Sequence, residues 1–141
     1  MLFQSILLKP GKLTTEEFEE MKKHTIYGEH SLTVGINELG EDSFLSTARE
    51  IAFTHHEKWD GTGYPNGLSK EEIPISGRLM ALSDVYDALV SKRVYKEALT
   101  HEQAKKIILD GKGSHFDPDI VETFIKREDI FIKIMKEYKD N

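Results

Sequence analysis

Hydrophobic positions recur along most of the chain with the spacing of amphipathic helices. From about Ser46, the side chains of Ala48, Ile51, Ala52 and His55 follow the i, i+3, i+4, i+7 pattern of one buried helix face. The same spacing predicts a helix over about 25–36 and a core stripe of Leu79, Leu82, Tyr86 and Leu89, and a last helix carries Phe131, Ile134, Met135 and Tyr138. No segment has a convincing strand pattern. The pattern therefore predicts an all-α fold.

Local signals predict where several of these helices begin. Thr14 and Thr100 are each followed three residues later by Glu or Gln, which is the spacing of a capping box. Asp117 precedes Pro118, an N-cap residue followed by proline at the first helical position. Ser76 is placed to cap the helix that carries the Leu79 stripe. These signals predict helices that begin at or just after the four polar residues.

Residues 57–76 break the helical pattern. The stretch 60–67 contains three Gly, one Pro and the turn formers Asp and Asn. Long loops are uncommon inside compact helical chains unless they have a function. This loop is therefore predicted to be part of a functional site.

Composition and charge exclude several classes of protein. The chain has 141 residues, which predicts a single domain over 1–141, and 19 basic against 25 acidic residues give a net charge of −6. Such a balance argues against a general DNA-binding or membrane-surface protein but allows a local basic clamp for one small anion. Without Cys, no disulfide or thiolate site is available, and no apolar run is long enough for a membrane span. We expect a soluble, cytoplasmic domain.

The candidate chemistry begins with His55 and His56. Adjacent residues on a helix point about 100° apart, so these imidazoles would converge on one ion only at a helix end. They do lie at a predicted helix end, directly before the loop. A single histidine on an apolar face is more often a core residue, but neutral imidazole is the commonest protein metal ligand. The pair therefore indicates a metal site.

Charged residues further along add weaker signals. Asp84 lies within a strongly apolar helix, where a carboxylate is costly unless it is paired or bound to a metal, and Asp87 follows on nearly the same side. Arg93 and Lys96 come just after this helix and would suit a phosphate. Taken alone, the carboxylates are better explained as an exposed polar face, and the cations as favourable charges at a helix C-terminus.

The order of these residues resembles the HD-GYP family. Residues 55–65, HHEKWDGTGYP, match its HHExxDGxGYP signature at every position. Residues 21–25 resemble its MKxHT element and residues 81–89 its ADVFDAL helix. Residues 91–96 resemble its SKRPYK segment, with Val94 in place of Pro, and 113–118 its GxHFDP turn. The resemblance extends from Ser5 to about Ile125.

This resemblance implies a fold, an activity and a site. The fold would be an HD-domain-like helical bundle, and the activity would be metal-dependent hydrolysis of cyclic di-GMP to pGpG or GMP. The ions, often iron or manganese, would lower the pKa of the attacking water and stabilise charge on the phosphodiester. By similarity, the metal ligands would be His24, His55, His56 and Asp84. The substrate would be contacted by Gly63, Tyr64, Asp87, Arg93 and Lys96.

One family feature is missing, which leaves two functions open. No His-Asp dipeptide occurs in the chain, although the family uses this dyad to bridge its metal ions. The catalytic set is thus incomplete, and the chain is expected to be the C-terminal two thirds of an N-terminally truncated HD-GYP domain. It is either a phosphodiesterase that is weak or inactive as this chain, or a non-catalytic module that binds cyclic di-GMP or another protein.

Two further expectations follow from the missing dyad. We expect at most one tightly held transition-metal ion per chain, with partial occupancy. We also expect a homodimer or higher oligomer, because the loss of upstream helices would expose apolar surface around Ile51, Leu79, Leu82 and Tyr86. The apolar segment 1–8 would be the exchanged arm.

Overall fold

The regular secondary structure of the described part of the chain is helical. The computed structural model describes residue 6, residue 9 and residues 11–40, 44–91 and 97–138. The helices are α1 (Thr15–Lys22), α2 (His24–Leu39), α3 (Phe44–Thr54), α4 (Ile75–Val90), α5 (His101–Asp110), α6 (Pro118–Lys126) and α7 (Glu128–Tyr138), with a 3₁₀ turn at Lys70–Glu72. Within these ranges there is no β-strand, only two isolated bridges. The all-α prediction is confirmed.

Three of the four predicted helix starts are confirmed by their hydrogen bonds. The Thr14 hydroxyl accepts from the backbone N–H of Glu17 at 3.2 Å, and the Glu17 carboxylate accepts from the N–H of Thr14 at 2.8 Å. Thr100 forms the equivalent capping box before α5. Asp117 caps α6 by accepting from the N–H of Asp119 at 2.9 Å. Short-range hydrogen bonds determine these boundaries, so the local sequence was sufficient to predict them.

The predicted cap at Ser76 is wrong. Helix α4 begins at Ile75 with Pro74 as the preceding residue, so Ser76 lies inside its first turn. The φ of Pro74 is −53°, which the pyrrolidine ring holds close to the helical value. The Ser76 hydroxyl instead donates to the Glu50 carboxylate at 2.9 Å, joining α4 to α3.

The buried core lies in the C-terminal half of the described chain. Helix α4 contributes Leu82, Tyr86 and Val90 to it. The other fully buried members come from α5, α6 and the turn between them: Ala104, Ile108, Phe116, Ile120, Val121 and Phe124. Phe131 and Met135 of α7 pack against this cluster. Helices α2 and α3 pack against each other, and α3 packs against α4.

This packing corrects the expectation of exposed apolar surface. Leu82 is 2% exposed and Tyr86 5%, because α5 and α6 cover them, so the expectation is wrong for these two residues. Leu79 is 49% exposed and lines a cavity of about 410 Å³ between α4, α6 and α7. No helix among the described residues has the length and apolar character needed to cross a membrane.

Candidate metal site

The end of helix α3 brings the two adjacent histidines together. The last residue of α3 is Thr54, and His55 and His56 form the turn that follows. The N–H of His55 still donates to the Ile51 carbonyl at 3.0 Å, whereas the carbonyl of His56 accepts from the N–H of Tyr64 in the loop. The backbone thus leaves the helix between the two residues, and their ring centroids are 4.0 Å apart. The predicted convergence at a helix end is confirmed.

His24 completes a three-histidine cluster. It is the first residue of α2, and this helix packs against α3. One ring nitrogen each from His24, His55 and His56 lies within 4.8 Å of the other two. Nε2 of His24 is 3.3 Å from Nε2 of His55. The three side chains are half-buried, so they are held by packing and still reach solvent.

Hydrogen bonds to backbone carbonyls determine the tautomers of two of these histidines. Nδ1 of His24 is 2.7 Å from the Met21 carbonyl oxygen, and Nδ1 of His55 is 2.9 Å from that of Ile51. A carbonyl oxygen only accepts, so each Nδ1 carries the proton, and in the neutral imidazole Nε2 then carries the lone pair. A second partner of this kind is typical of histidines that bind metals.

The spacing of these lone pairs fits a divalent metal ion. Two lone pairs that face each other across 3.3 Å repel unless a cation lies between them. Nitrogen ligands 2.0–2.1 Å from one ion, at a tetrahedral angle, would be about 3.3 Å apart. Burial and the neighbouring His55, His24 and His115 lower the pKa of His56 to about 4. This side chain is therefore neutral at pH 7, which is the form that binds a metal.

The loop after the histidines is folded around one buried carboxylate. Glu57 is 1% exposed and accepts from the backbone N–H groups of Asn66 at 2.8 Å and Leu68 at 3.1 Å. Gly63 lies against the same segment, since a Cβ there would be 2.5 Å from Cα of Glu57 and 2.4 Å from the nitrogen of Lys58. The sequence places Glu57 next to the histidines but does not show that it organises the loop.

Tyr64 lies against the histidine cluster. Its ring stacks on that of His56, with centroids 4.9 Å apart and planes inclined by 26°. The ring centroids of Phe18 and Tyr64 are 6.2 Å apart in an edge-to-face arrangement, and the Lys22 ammonium lies 5.6 Å from the centre of the Tyr64 ring. Burial, together with the negative charge of nearby Asp84, raises the pKa of the Tyr64 phenol. Tyr64 therefore lies between α1, α4 and the cluster.

The structure places the predicted carboxylates on the exposed side of α4. Asp84 and Asp87 are both exposed, which agrees with the interpretation of this pair as a polar face of an amphipathic helix. Asp84 is outside the histidine cluster as the described residues define it, although its charge acts on Tyr64. Asp87 accepts from the Ser91 hydroxyl at 3.2 Å. The predicted phosphate contacts Arg93 and Lys96 lie outside the described residues.

A second set of contacts joins the loop to the C-terminal helices. The Arg78 guanidinium donates to the Asp117 carboxylate at 2.8 Å and to the Ile73 carbonyl at 2.9 Å, and it lies 5.8 Å from the ring of Trp59. The N–H of Trp59 donates to the His115 carbonyl at 3.1 Å. Arg78 was not singled out from the sequence, because its partner Asp117 is 39 residues away.

The fold and the cluster together define a helical domain with a histidine site for a divalent metal. The HD domain family profile matches residues 4–120, and the chain belongs to this family. The resemblance to its HD-GYP branch is confirmed by the curated relatives. A cyclic di-GMP phosphodiesterase from Vibrio cholerae is 59% identical over 136 residues, and one from Thermotoga maritima is 45% identical over 137 residues.

Other relatives are named for a different cyclic dinucleotide. The 3'3'-cGAMP-specific phosphodiesterase 2 of Vibrio cholerae is 47% identical over 136 residues. Each of these three matches covers 96% of this chain, but the chain spans only 28%, 35% and 25% of the respective relatives. A solved structure of a cyclic GMP-AMP specific phosphodiesterase from Vibrio cholerae matches with a TM-score of 0.54 at 20% identity, covering 91% of this chain and 32% of that one. This last match supports the fold.

Proposed function

We propose that this chain is a metal-dependent phosphodiesterase domain whose substrate is a cyclic dinucleotide, with cyclic di-GMP as the first candidate. The observation that carries the proposal is the pair of Nε2 lone pairs 3.3 Å apart in a cluster of three histidines. The names of the relatives supply the substrate class. A phosphodiester is also the kind of substrate whose hydrolysis a metal site promotes.

The metal would be held by His24, His55 and His56, and Asp84 would add a carboxylate ligand. Three neutral imidazoles suit a divalent transition metal such as iron or manganese, and occupancy would be partial. A bound ion lowers the pKa of water and stabilises charge on the phosphoryl oxygens. The carbonyls that accept from Nδ1 of His24 and His55 would keep both Nε2 atoms available.

The substrate would lie on the same side of the domain. Gly63 and Tyr64 are adjacent to the cluster and would contact the nucleotide, and Asp87 of α4 would contribute to its binding. Arg93 and Lys96 would contact the phosphates. The structural support is the position of Tyr64, which stacks on His56 and is close enough to Asp84 for the carboxylate to affect its pKa.

Hydrolysis by this chain alone would be slow or absent. The cluster in the described residues contains imidazoles but no carboxylate to bridge a second ion, and two ions are needed to stabilise both the attacking and the leaving oxygen. This observation also favours the second candidate, a non-catalytic module that binds cyclic di-GMP or a protein. The domain would be cytoplasmic, and half-exposed Leu79 would contribute to contacts between copies.

The test combines elemental analysis with a hydrolysis assay on the purified 141-residue chain. We expect at most one equivalent of metal per chain, lost in the double variant His55→Ala, His56→Ala and kept in the control His30→Ala, whose exposed side chain is outside the cluster. Two full equivalents in the wild-type chain, or unchanged metal in the double variant, would contradict the site. Turnover of cyclic di-GMP at about 1 to 1,000 per second would contradict slow hydrolysis.

Binding and assembly can be measured separately. Calorimetric titration with cyclic di-GMP measures binding, and slow but detectable turnover of the bound nucleotide would favour the phosphodiesterase over the non-catalytic module. Sedimentation equilibrium at micromolar protein decides the oligomeric state. A single species near 16.2 kDa would exclude the dimer.

A further inference from the structure

The three histidines of the cluster are not held in the same way. Carbonyl oxygens of Met21 and Ile51 accept from Nδ1 of His24 and His55, and these bonds fix the direction of both rings. Within the described residues, the ring of His56 makes no such hydrogen bond. Its contacts are ring contacts with His24, His55 and Tyr64. Something other than a hydrogen bond must therefore orient it.

The Tyr64 ring is the face against which His56 lies flat. Its plane is inclined by 26° to the imidazole, whereas His24 meets the same imidazole at 84°. A stacked pair at 4.9 Å is within the range in which aromatic rings attract. The stack limits rotation of the imidazole about its Cβ–Cγ bond, because turning the ring out of the Tyr64 plane would lose the contact.

Tyr64 is itself held from the other directions. The edge of Phe18 contacts its ring, and the Lys22 ammonium lies over it. Its N–H donates to the His56 carbonyl at 3.2 Å, so backbone and ring both connect the two residues. The preceding Gly63 has no room for a Cβ against Glu57. The phenol ring is thus a fixed surface.

We propose that Tyr64 is a positioning residue for His56, and that its ring, rather than its hydroxyl group, directs the imidazole into the cluster. The inference rests on the proposed function, because it requires that the cluster bind a metal. It deepens that function by giving Tyr64 a role in metal binding before any nucleotide is bound. Loss of an outer-shell partner of a metal ligand typically weakens metal affinity about 10- to 100-fold. For a stacked ring we expect the lower end, about tenfold.

The test measures binding of Co²⁺ to the metal-free chain, followed by the visible absorption of the bound ion. We expect Tyr64→Phe to match the wild-type chain in affinity and spectrum, because it retains the ring. Tyr64→Leu should bind about tenfold more weakly with an altered spectrum. The matched control is Tyr138→Leu, the same substitution at an exposed tyrosine of α7, which should leave the affinity unchanged.

Three results would overturn the assignment. These are a Tyr64→Leu chain with wild-type affinity and spectrum, a Tyr64→Phe chain as weak as Tyr64→Leu, or a Tyr138→Leu chain as weak as Tyr64→Leu. Far-UV circular dichroism and urea midpoints establish that each variant is folded. If Tyr64→Leu does not fold, nuclear Overhauser contacts between the rings of Tyr64 and His56 in the wild-type chain decide the matter. Their presence supports the stack, and their absence overturns it.

The two levels of inference fail in different ways. If the wild-type chain binds no Co²⁺, the metal site of the proposed function is wrong, whatever the variants do. If the wild-type chain binds Co²⁺ and Tyr64→Leu binds it equally well, the metal site stands and only the role of Tyr64 is wrong.

Discussion

Replacing Glu57 with alanine tests whether one buried carboxylate organises the loop that follows the histidines. The side chain is 1% exposed, and its two oxygens accept from the backbone N–H groups of Asn66 and Leu68, nine and eleven residues further along. Alanine removes both acceptors and leaves two partly buried donors without their partner. We expect the loop to lose its fixed conformation and the free energy of unfolding to fall.

The magnitude follows from the two hydrogen bonds. Each bond to a charged group contributes about 1.5–3 kcal/mol net. Two effects reduce this loss: removing the buried charge relieves its desolvation, and an opened loop lets water reach the freed N–H groups. We therefore take the lower end of the range and expect Glu57→Ala to lower the free energy of unfolding by about 3 kcal/mol. Glu57→Gln keeps one acceptor and turns an amide donor towards the other N–H, which should cost about 1.5 kcal/mol.

The measurement is urea unfolding followed by far-UV circular dichroism at pH 7. With a slope of about 1.5 kcal/mol per molar urea, a loss of 3 kcal/mol lowers the midpoint by about 2 M. The matched control is Glu71→Ala, an exposed carboxylate of the same loop, which should change stability by less than about 0.5 kcal/mol. A Glu57→Ala chain that loses less than about 1 kcal/mol would refute the reasoning, because the loop would then hold its shape without the carboxylate.

Three further predictions concern packing, an ion pair and pH. Gly63→Ala should destabilise the chain by about 2 kcal/mol in urea unfolding, because the new Cβ would meet backbone atoms that are held in place. Arg78→Met should lower the free energy of unfolding by about 3 kcal/mol, because it leaves the carboxylate of Asp117, which is 5% exposed, without its cation. The Lys105 ammonium and His101 hold the pKa of Glu128 below its usual value. The ionised Glu128 carboxylate therefore stabilises the fold above pH 4.5, and this stabilisation is lost as the pH falls through the folded-state pKa. Glu128→Gln should therefore lower the urea midpoint at pH 7, and the difference from the wild-type chain should shrink towards pH 3.

The packing and ion-pair predictions each have a control variant. Gly35→Ala places a Cβ against a terminal methyl of Leu45, so it should be neutral or stabilising within its helix. Lys112→Met breaks an exposed pair with Glu122 and should cost less than about 0.5 kcal/mol. Equal losses in a variant and its control would contradict the packing and ion-pair arguments. A Glu128→Gln difference that is the same at pH 7 and pH 3 would contradict the pH argument.

The parts of the fold that depend on neighbouring residues were predictable from the sequence. The caps at Thr14, Thr100 and Asp117 involve partners two or three residues away, and all three were predicted. The convergence of His55 and His56 was also predictable, because it depends only on where the helix ends. A signal within one turn of the chain is enough for such features.

The parts that depend on distant residues were not predictable from spacing. His24 is 31 residues from its neighbour His55, and only the resemblance to a known motif indicated that they meet. The apolar sequence neighbours of Asp84 left both a metal-bound carboxylate and a partly exposed polar face open, and the structure places the residue on the exposed side of α4. Which side of a helix faces solvent is decided by the elements packed around it, and the periodicity of one helix does not reveal them.

Helix α4 shows how this domain can diversify. Its interior side, with Leu82 and Tyr86, contacts α5 and α6, while Asp84 on another side acts on Tyr64 beside the cluster. Mutations on the two sides therefore have separate consequences, one for folding and one for the surroundings of the site. Over evolutionary time, the charge beside the cluster can be altered in single steps without disturbing the interior. Such independence suits a domain whose relatives are named for two different cyclic dinucleotides.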